Sequence, residues 1–153
     1  MVLNILVVDD SSVMRMMIIK ILHLSKLPLG ELYEAANGAE ALEVLKGACI
    51  DLALVDINMP VMDGEEMVNR LRKNPETADL PVIIVSTDDN STRKERLIQK
   101  KAGLVHKPFT PQTLRFAILR ELGGQKDEAQ TSQVGASCRK GHLDTPLTLG
   151  LSI

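Results

Sequence analysis

The sequence predicts an α/β domain: an open, doubly wound sheet of five parallel strands with helices on both faces. Three observations carry that prediction. Short apolar runs alternate with amphipathic stretches five times along the chain, which is the pattern of a sheet covered by helices. One helix between successive runs implies parallel strands joined by right-handed crossovers. Five such units are too few for an eight-fold barrel, so the sheet stays open. The expected strand order is 2-1-3-4-5, with the switch point between strands one and three.

The elements follow in order. Leu3 to Val8 is an apolar run broken only by Asn4, and it ends at Asp9-Asp10-Ser11-Ser12. Ser11 or Ser12 caps the next helix, whose Val13, Met14, Met17, Ile18, Ile21 and Leu22 fall at helical spacing as a wide apolar face. Pro28 and Gly30 break that pattern, and 31–36 reads as a weaker second strand. Asn37 with Glu40 caps a helix that buries Ala41, Leu42 and Leu45. The third strand is the run Leu52-Ala53-Leu54-Val55-Asp56, followed at once by a Met59-Pro60 turn and Asp63-Gly64. Asp63 with Glu66 caps a helix with core positions Met67, Val68 and Leu71, ended by Asn74-Pro75. Pro81 leads the fourth strand, Val82-Ile83-Ile84-Val85, which ends at Ser86-Thr87. A polar helix over roughly 92–101 offers only Leu97 and Ile98 to a core. The fifth strand, 103–106, ends at Lys107-Pro108. Thr110 caps the last helix, Pro111 takes its first position, and Leu114, Ala117, Ile118 and Leu122 form its buried stripe. Phe116 and Leu119 lie off that stripe, as edge-of-core or partner-contacting residues.

After Gly123-Gly124 the composition turns polar. The expected division is a folded domain over 1–122 and a tail over 123–153, with 125–133 as linker or disordered chain. Residues 147–153 alternate as a strand would. They read either as a segment that pairs with a sheet edge or as an extension without a role.

Composition narrows the function classes. Of 153 residues, 44% are apolar and 25% charged, as in soluble globular proteins. The net charge of −2 supplies no bulk field to attract nucleic acid or a membrane surface. Cys49 and Cys138 are far apart and form no CxxC pattern, which fits a reducing interior. No basic stretch precedes the first apolar run, so no signal peptide is expected. The most apolar helix carries Arg15 and Lys20 and is too short to span a bilayer. The expected location is the cytoplasm.

Chemistry concentrates at the carboxyl ends of the strands. The predicted topology brings Asp9, Asp10 and Asp56 together at the switch point, where open α/β sheets bind ligands. Three crowded carboxylates raise each other's pKa unless a counter-charge is present. A hard divalent cation with oxygen ligands supplies it, and Mg²⁺ is the natural candidate. Lys107 at the end of the fifth strand brings an ammonium to the same edge, and Ser86 at the end of the fourth brings a hydroxyl. Together the metal and the ammonium balance the three carboxylates, leaving a pocket that accepts a phosphoryl group. Taken singly, each residue has an ordinary alternative: a turn-forming Asp, a solvated Lys before a proline, a capping Ser, a turn Asn at 58.

The motifs Val7-Val8-Asp9-Asp10-Ser11-Ser12, Asp56-Ile57-Asn58-Met59-Pro60-Val61-Met62-Asp63-Gly64, Pro81-Val82-Ile83-Ile84-Val85-Ser86 and Lys107-Pro108-Phe109 resemble the receiver domain of bacterial two-component response regulators. The likeness is to the stand-alone chemotaxis type, of flavodoxin-like fold, and covers residues 1 to about 122. It implies that Asp56 takes a phosphoryl group from a phosphohistidine on a sensor histidine kinase or phosphotransfer protein. It implies Mg²⁺ held by Asp10, Asp56 and the backbone carbonyl of Asn58, with Asp9 acting through water. Ser86 and Lys107 would hold the phosphoryl oxygens, and Lys107-Pro108 would be cis. The output would be an altered face of helix four, strand five and helix five, read by an unknown partner protein. Such a chain is a switch with self-catalysed phosphotransfer and autodephosphorylation, not an enzyme.

The chain departs from the family pattern in three places. Thr87 stands where a very small residue is usual, Leu104 where an aromatic commonly reports the switch, and acidic Asp88-Asp89-Asn90 lies beside the site. Asn58 and Asp88 flank the expected path of a hydrolytic water. Two other readings compete. A Mg²⁺-dependent phosphohydrolase usually has a second Asp two residues after its nucleophile, and Asn58 occupies that place. A receiver-like scaffold that binds partners without phosphorylation fits poorly with a full set of acidic and lysine positions. No GxGxxG or Walker-type loop follows the first strand to support nucleotide binding.

Overall fold

The structure, a computed structural model, describes residues 2–87 and 89–129, the side chains of 124–129 excepted. Asp88 and the alternating segment 147–153 therefore lie outside the described residues. Along the chain run β1 (Leu3–Val8), α1 (Ser12–Leu24), β2 (Leu29–Ala35), α2 (Gly38–Gly47), β3 (Leu52–Asp56), α3 (Gly64–Lys73), β4 (Val82–Ser86), α4 (Ser91–Gln99), β5 (Ala102–His106) and α5 (Pro111–Ala129). The five strands form one sheet in the order β2-β1-β3-β4-β5, and every neighbouring pair is parallel. This is the predicted doubly wound topology.

Strand alternation sorts the core into two layers. Leu6 and Val8, Ala53 and Val55, and Val82 and Ile84 face α2, α3 and α4, meeting Ala41, Leu45, Met67, Val68, Leu71 and Leu97. Leu3, Ile5 and Val7, Leu52 and Leu54, and Ile83 and Val85 face the other way, onto Ile18 and Leu22 of α1 and Leu114 and Ile118 of α5. Because successive side chains point to opposite faces, a strand that is apolar at every position is buried twice over.

The caps fall where the sequence places them. The side chains of Ser11, Asn37 and Asp63 accept from the amides of Met14, Glu40 and Glu66. The Thr110 hydroxyl accepts from the Thr113 amide at 3.1 Å.

Several expectations need correction. β2 begins at Leu29 and contains Gly30, a residue expected to break the pattern before the strand. The Glu31 amide donates to Asn4 Oδ1 at 2.8 Å, and a side chain at position 30 would run into that Asn4 amide, so glycine is what lets the strand approach. The apolar face of α1 is narrower than its sequence: Val13 is 65% exposed and Met17 half exposed, while Ile18 and Leu22 are buried and Met14 and Ile21 pack partly buried against the same layer. α4 starts at Ser91 behind an Asn90 cap, and Ile98 is 57% exposed, leaving Leu97 as its buried anchor. Phe116 is 66% exposed and Leu119 is exposed too, so neither is an edge-of-core residue. α5 continues through Gly123-Gly124 to Ala129. Two glycines weaken a helix by about 1 kcal/mol each without blocking it, and the Gln, Lys, Glu and Ala that follow favour it.

Candidate functional site

β1 and β3 are adjacent, with Val8 beside Val55, so the residues that leave their carboxyl ends emerge together. Asp9 is buried, Asp10 is exposed and Asp56 is half-buried at the last position of β3. Carboxylate oxygens of the three lie within 4.8 Å of one another. Asp9 is fixed from two sides: its Oδ1 accepts from the Ser11 amide at 2.9 Å, and its carbonyl accepts from Arg15 Nη1 at 2.6 Å.

β5 delivers the counter-charge. The Lys107 amide donates to the Ser86 carbonyl at 3.0 Å, tying the ends of β4 and β5 together. The Lys107–Pro108 peptide is cis. Lys107 Nζ lies 3.4 Å from Asp9 Oδ2 and 3.4 Å from Asp56 Oδ1, between the first and third strand ends. Ser86, the last residue of β4, is buried beside them.

Burial pushes the Asp56 carboxyl above its ordinary value of 3.8, and the neighbouring charge of Asp9 adds to the rise, while Lys107 works against it. An all-oxygen set held this closely suits a hard cation such as Mg²⁺, which accepts one or two carboxylates and keeps waters.

The loop after β3 turns sharply into α3. The Gly64 amide donates to the Ile57 carbonyl at 2.9 Å, and a Cβ at Gly64 would collide with the Asp56 carbonyl. Glycine is therefore required where the Asp63-Gly64 step closes the loop. Asn58 is exposed on this loop, its Oδ1 3.4 Å from Arg93 Nη1.

Beneath α4 lies a cavity of about 160 Å³ whose lining includes Ile57, Ile84, Ser86, Leu97 and Leu104. Sequence reasoning missed this void, and it missed the ion pairs of Arg93 and Glu65 across α3 and α4.

Residues 5–119 match the response regulator receiver domain family. The chain belongs to that family. A chemotaxis protein CheY homolog of Campylobacter jejuni is 37% identical over 125 residues, covering 79% of this chain and 93% of the relative. The chemotaxis protein CheY1 of Helicobacter pylori is 37% identical over 125 residues, covering 79% of this chain and 98% of its own length. The structure of the chemotaxis response regulator CheY4 of Vibrio cholerae superimposes with a TM-score of 0.70 at 32% identity, covering 79% of this chain and 99% of that one. CheY-like receiver domains are signalling switches and not classical enzymes. No helix among the described residues of this receiver domain is long and apolar enough to cross a membrane.

Proposed function

We propose that this receiver domain accepts a phosphoryl group on Asp56 from the phosphohistidine of a sensor kinase or phosphotransfer protein, and signals by a phosphorylation-dependent protein contact. The observation that carries the reading is Lys107 Nζ, 3.4 Å from both Asp9 and Asp56, beside three mutually close carboxylates. In the transfer an Asp56 carboxylate oxygen forms a bond to phosphorus. The phosphorus–nitrogen bond of the donor breaks, and its electron pair returns to the imidazole, which takes a proton.

Phosphoryl transfer asks a protein for position and charge neutralisation. Asp9, Asp10, Asp56 and the Asn58 carbonyl would hold Mg²⁺, with Asp9 acting through water. The ion, when bound, neutralises charge on the transferring group. Lys107 lies where it can release Asp56 and pair with a phosphoryl oxygen, and the Ser86 hydroxyl donates to another. Drawing Ser86 inward moves the β4–α4 loop, and the face of α4, β5 and α5 carries the change to an output protein. Autodephosphorylation by water at the acyl phosphate returns the domain to its resting form. We place its partners and its action in the cytoplasm.

The test is labelling by acetyl phosphate. Wild type should label in a Mg²⁺-dependent manner and Asp56→Asn should not. Equal labelling of the variant, or labelling of wild type indifferent to chelator, would overturn the assignment.

A further inference from the structure

The loop that follows Asp56 is held from more than one side. Its inner closure is the Gly64 amide on the Ile57 carbonyl, and on the α2 side the Gly38 amide donates to the Met62 carbonyl at 3.1 Å. The loop contains Val61 at φ 67°, 82% exposed. A β-branched residue in the left-handed region is costly, and it persists only where the surroundings impose it.

On the α4 side the Arg93 guanidinium spans the loop, 3.4 Å from Asn58 Oδ1 and 3.4 Å from Asp63 Oδ2. Arg93 Nε lies 3.5 Å from Glu65 Oε1 on α3. The same carboxylate takes Arg96 at 2.6 and 3.0 Å and Lys100 at 3.6 Å. Residues 93, 96 and 100 recur at helical spacing, so one face of α4 and its C-cap presents three cations to one acid. The hydrogen bond from Arg96 is the largest of the influences that draw the Glu65 carboxyl from its ordinary 4.5 down to about 2. Leu97 is the buried residue of α4, so this acid is a main tie between α4 and the rest of the domain.

We propose that Arg93, oriented by Glu65, is a positioning residue that couples the Asn58 loop to α4 and so transmits occupancy of the Asp56 site to that helix. The inference rests on the phosphoryl-acceptor reading above and names a route by which that site is regulated. Loading the site puts anionic oxygens close to Asn58. A guanidinium with several donors redistributes itself among competing acceptors. A change in its share of Glu65 alters the hold on Arg96 and Lys100. The coupling is reciprocal by linkage. It also needs no aromatic side chain at position 104, where this chain has leucine.

Amide hydrogen exchange across residues 91–99 of the full chain tests the coupling, apo and with Mg²⁺ plus beryllofluoride as the phosphoryl mimic. Loading should change exchange in wild-type α4 by about five-fold or more. In Arg93→Ala and Glu65→Gln most of that ratio should vanish. Loss of a tie speeds basal exchange in any case, so the deciding quantity is the loaded-to-apo ratio, which a purely structural role leaves alone. Glu65→Asp, which keeps the carboxylate, should recover part of the ratio. Equal ratios in wild type and both variants, with wild type labelled at Asp56, overturn this inference alone. Failure of wild type to label at Asp56 removes the phosphoryl-acceptor reading and this inference with it.

Discussion

As the proposed phosphoryl acceptor, Asp56 would have to be enclosed enough to exclude water and charged enough to attack phosphorus, and those demands oppose each other. Burial raises its pKa, Asp9 raises it further, and Lys107 offsets part of the rise. A carboxyl whose folded-state pKa is raised binds protons more tightly in the native chain than in the unfolded one. Its contribution is therefore most favourable below its ordinary value of 3.8, and it is lost as pH rises through the raised folded-state pKa. Asp56→Asn removes the charge that causes this loss. Without divalent metal, the variant should be more stable than wild type at neutral pH, and the difference should shrink as pH falls through that window. Urea titrations in chelator at several pH values measure it. A variant less stable than wild type at every pH would mean that the ion pair with Lys107 outweighs burial.

At the scale of elements, the strands and caps could be read from the chain because their signals are local. An apolar run fixes a strand, and an Asn or Asp three residues ahead of an acid fixes a helix start. What crosses between elements left no such mark. α4 shows this: its composition is polar, yet Glu65 gathers its cations from another helix, and nothing in the spacing of α3 points there. Arg93 and Arg96 of α4 and Lys100 at its C-cap do share one face, which is the signal that could have been found. Arg72 is a second case. Its guanidinium donates to the carbonyls of Lys100 at 2.8 Å, Leu80 at 2.9 Å and Ala78 at 3.1 Å, joining the end of α3 to the segments that lead into β4 and β5. Burial lowers its pKa despite the nearby Asp79 and Glu121. Arg72→Met keeps the aliphatic stem and abandons these carbonyls. With about 1–3 kcal/mol for each polar group left unpaired and some recovered by water, the expected loss is roughly 2–4 kcal/mol. The urea midpoint, at unchanged slope, reports it. A loss near zero would show that water replaces the guanidinium fully.

For the molecule as a whole, topology decides where chemistry gathers. Asp9 and Asp56 lie 47 residues apart and Lys107 another 51 beyond, yet parallel strands in the order β2-β1-β3-β4-β5 end on one edge. The acidic cluster was readable for that reason, whereas the void beside Leu104 depends on how helices settle over the sheet, which periodicity does not encode. The same convergence makes metal binding a global property. The proposed Mg²⁺ site draws ligands from the ends of β1 and β3 and from the loop beyond, and unfolding separates them completely. A ligand that binds only the folded state stabilises it by RT ln(1 + [L]/Kd), about 2.7 kcal/mol at a hundred times Kd. Wild type should therefore gain roughly that much in saturating Mg²⁺ over ionic-strength-matched NaCl, read from urea unfolding at neutral pH. Asp56→Asn should start from the more stable apo state and gain less, because one carboxylate ligand has become an amide. The two proteins should thus draw closer in stability, or reverse order, as Mg²⁺ rises. Parallel curves for the two proteins would place the cation away from Asp56 and refute the proposed ligand set.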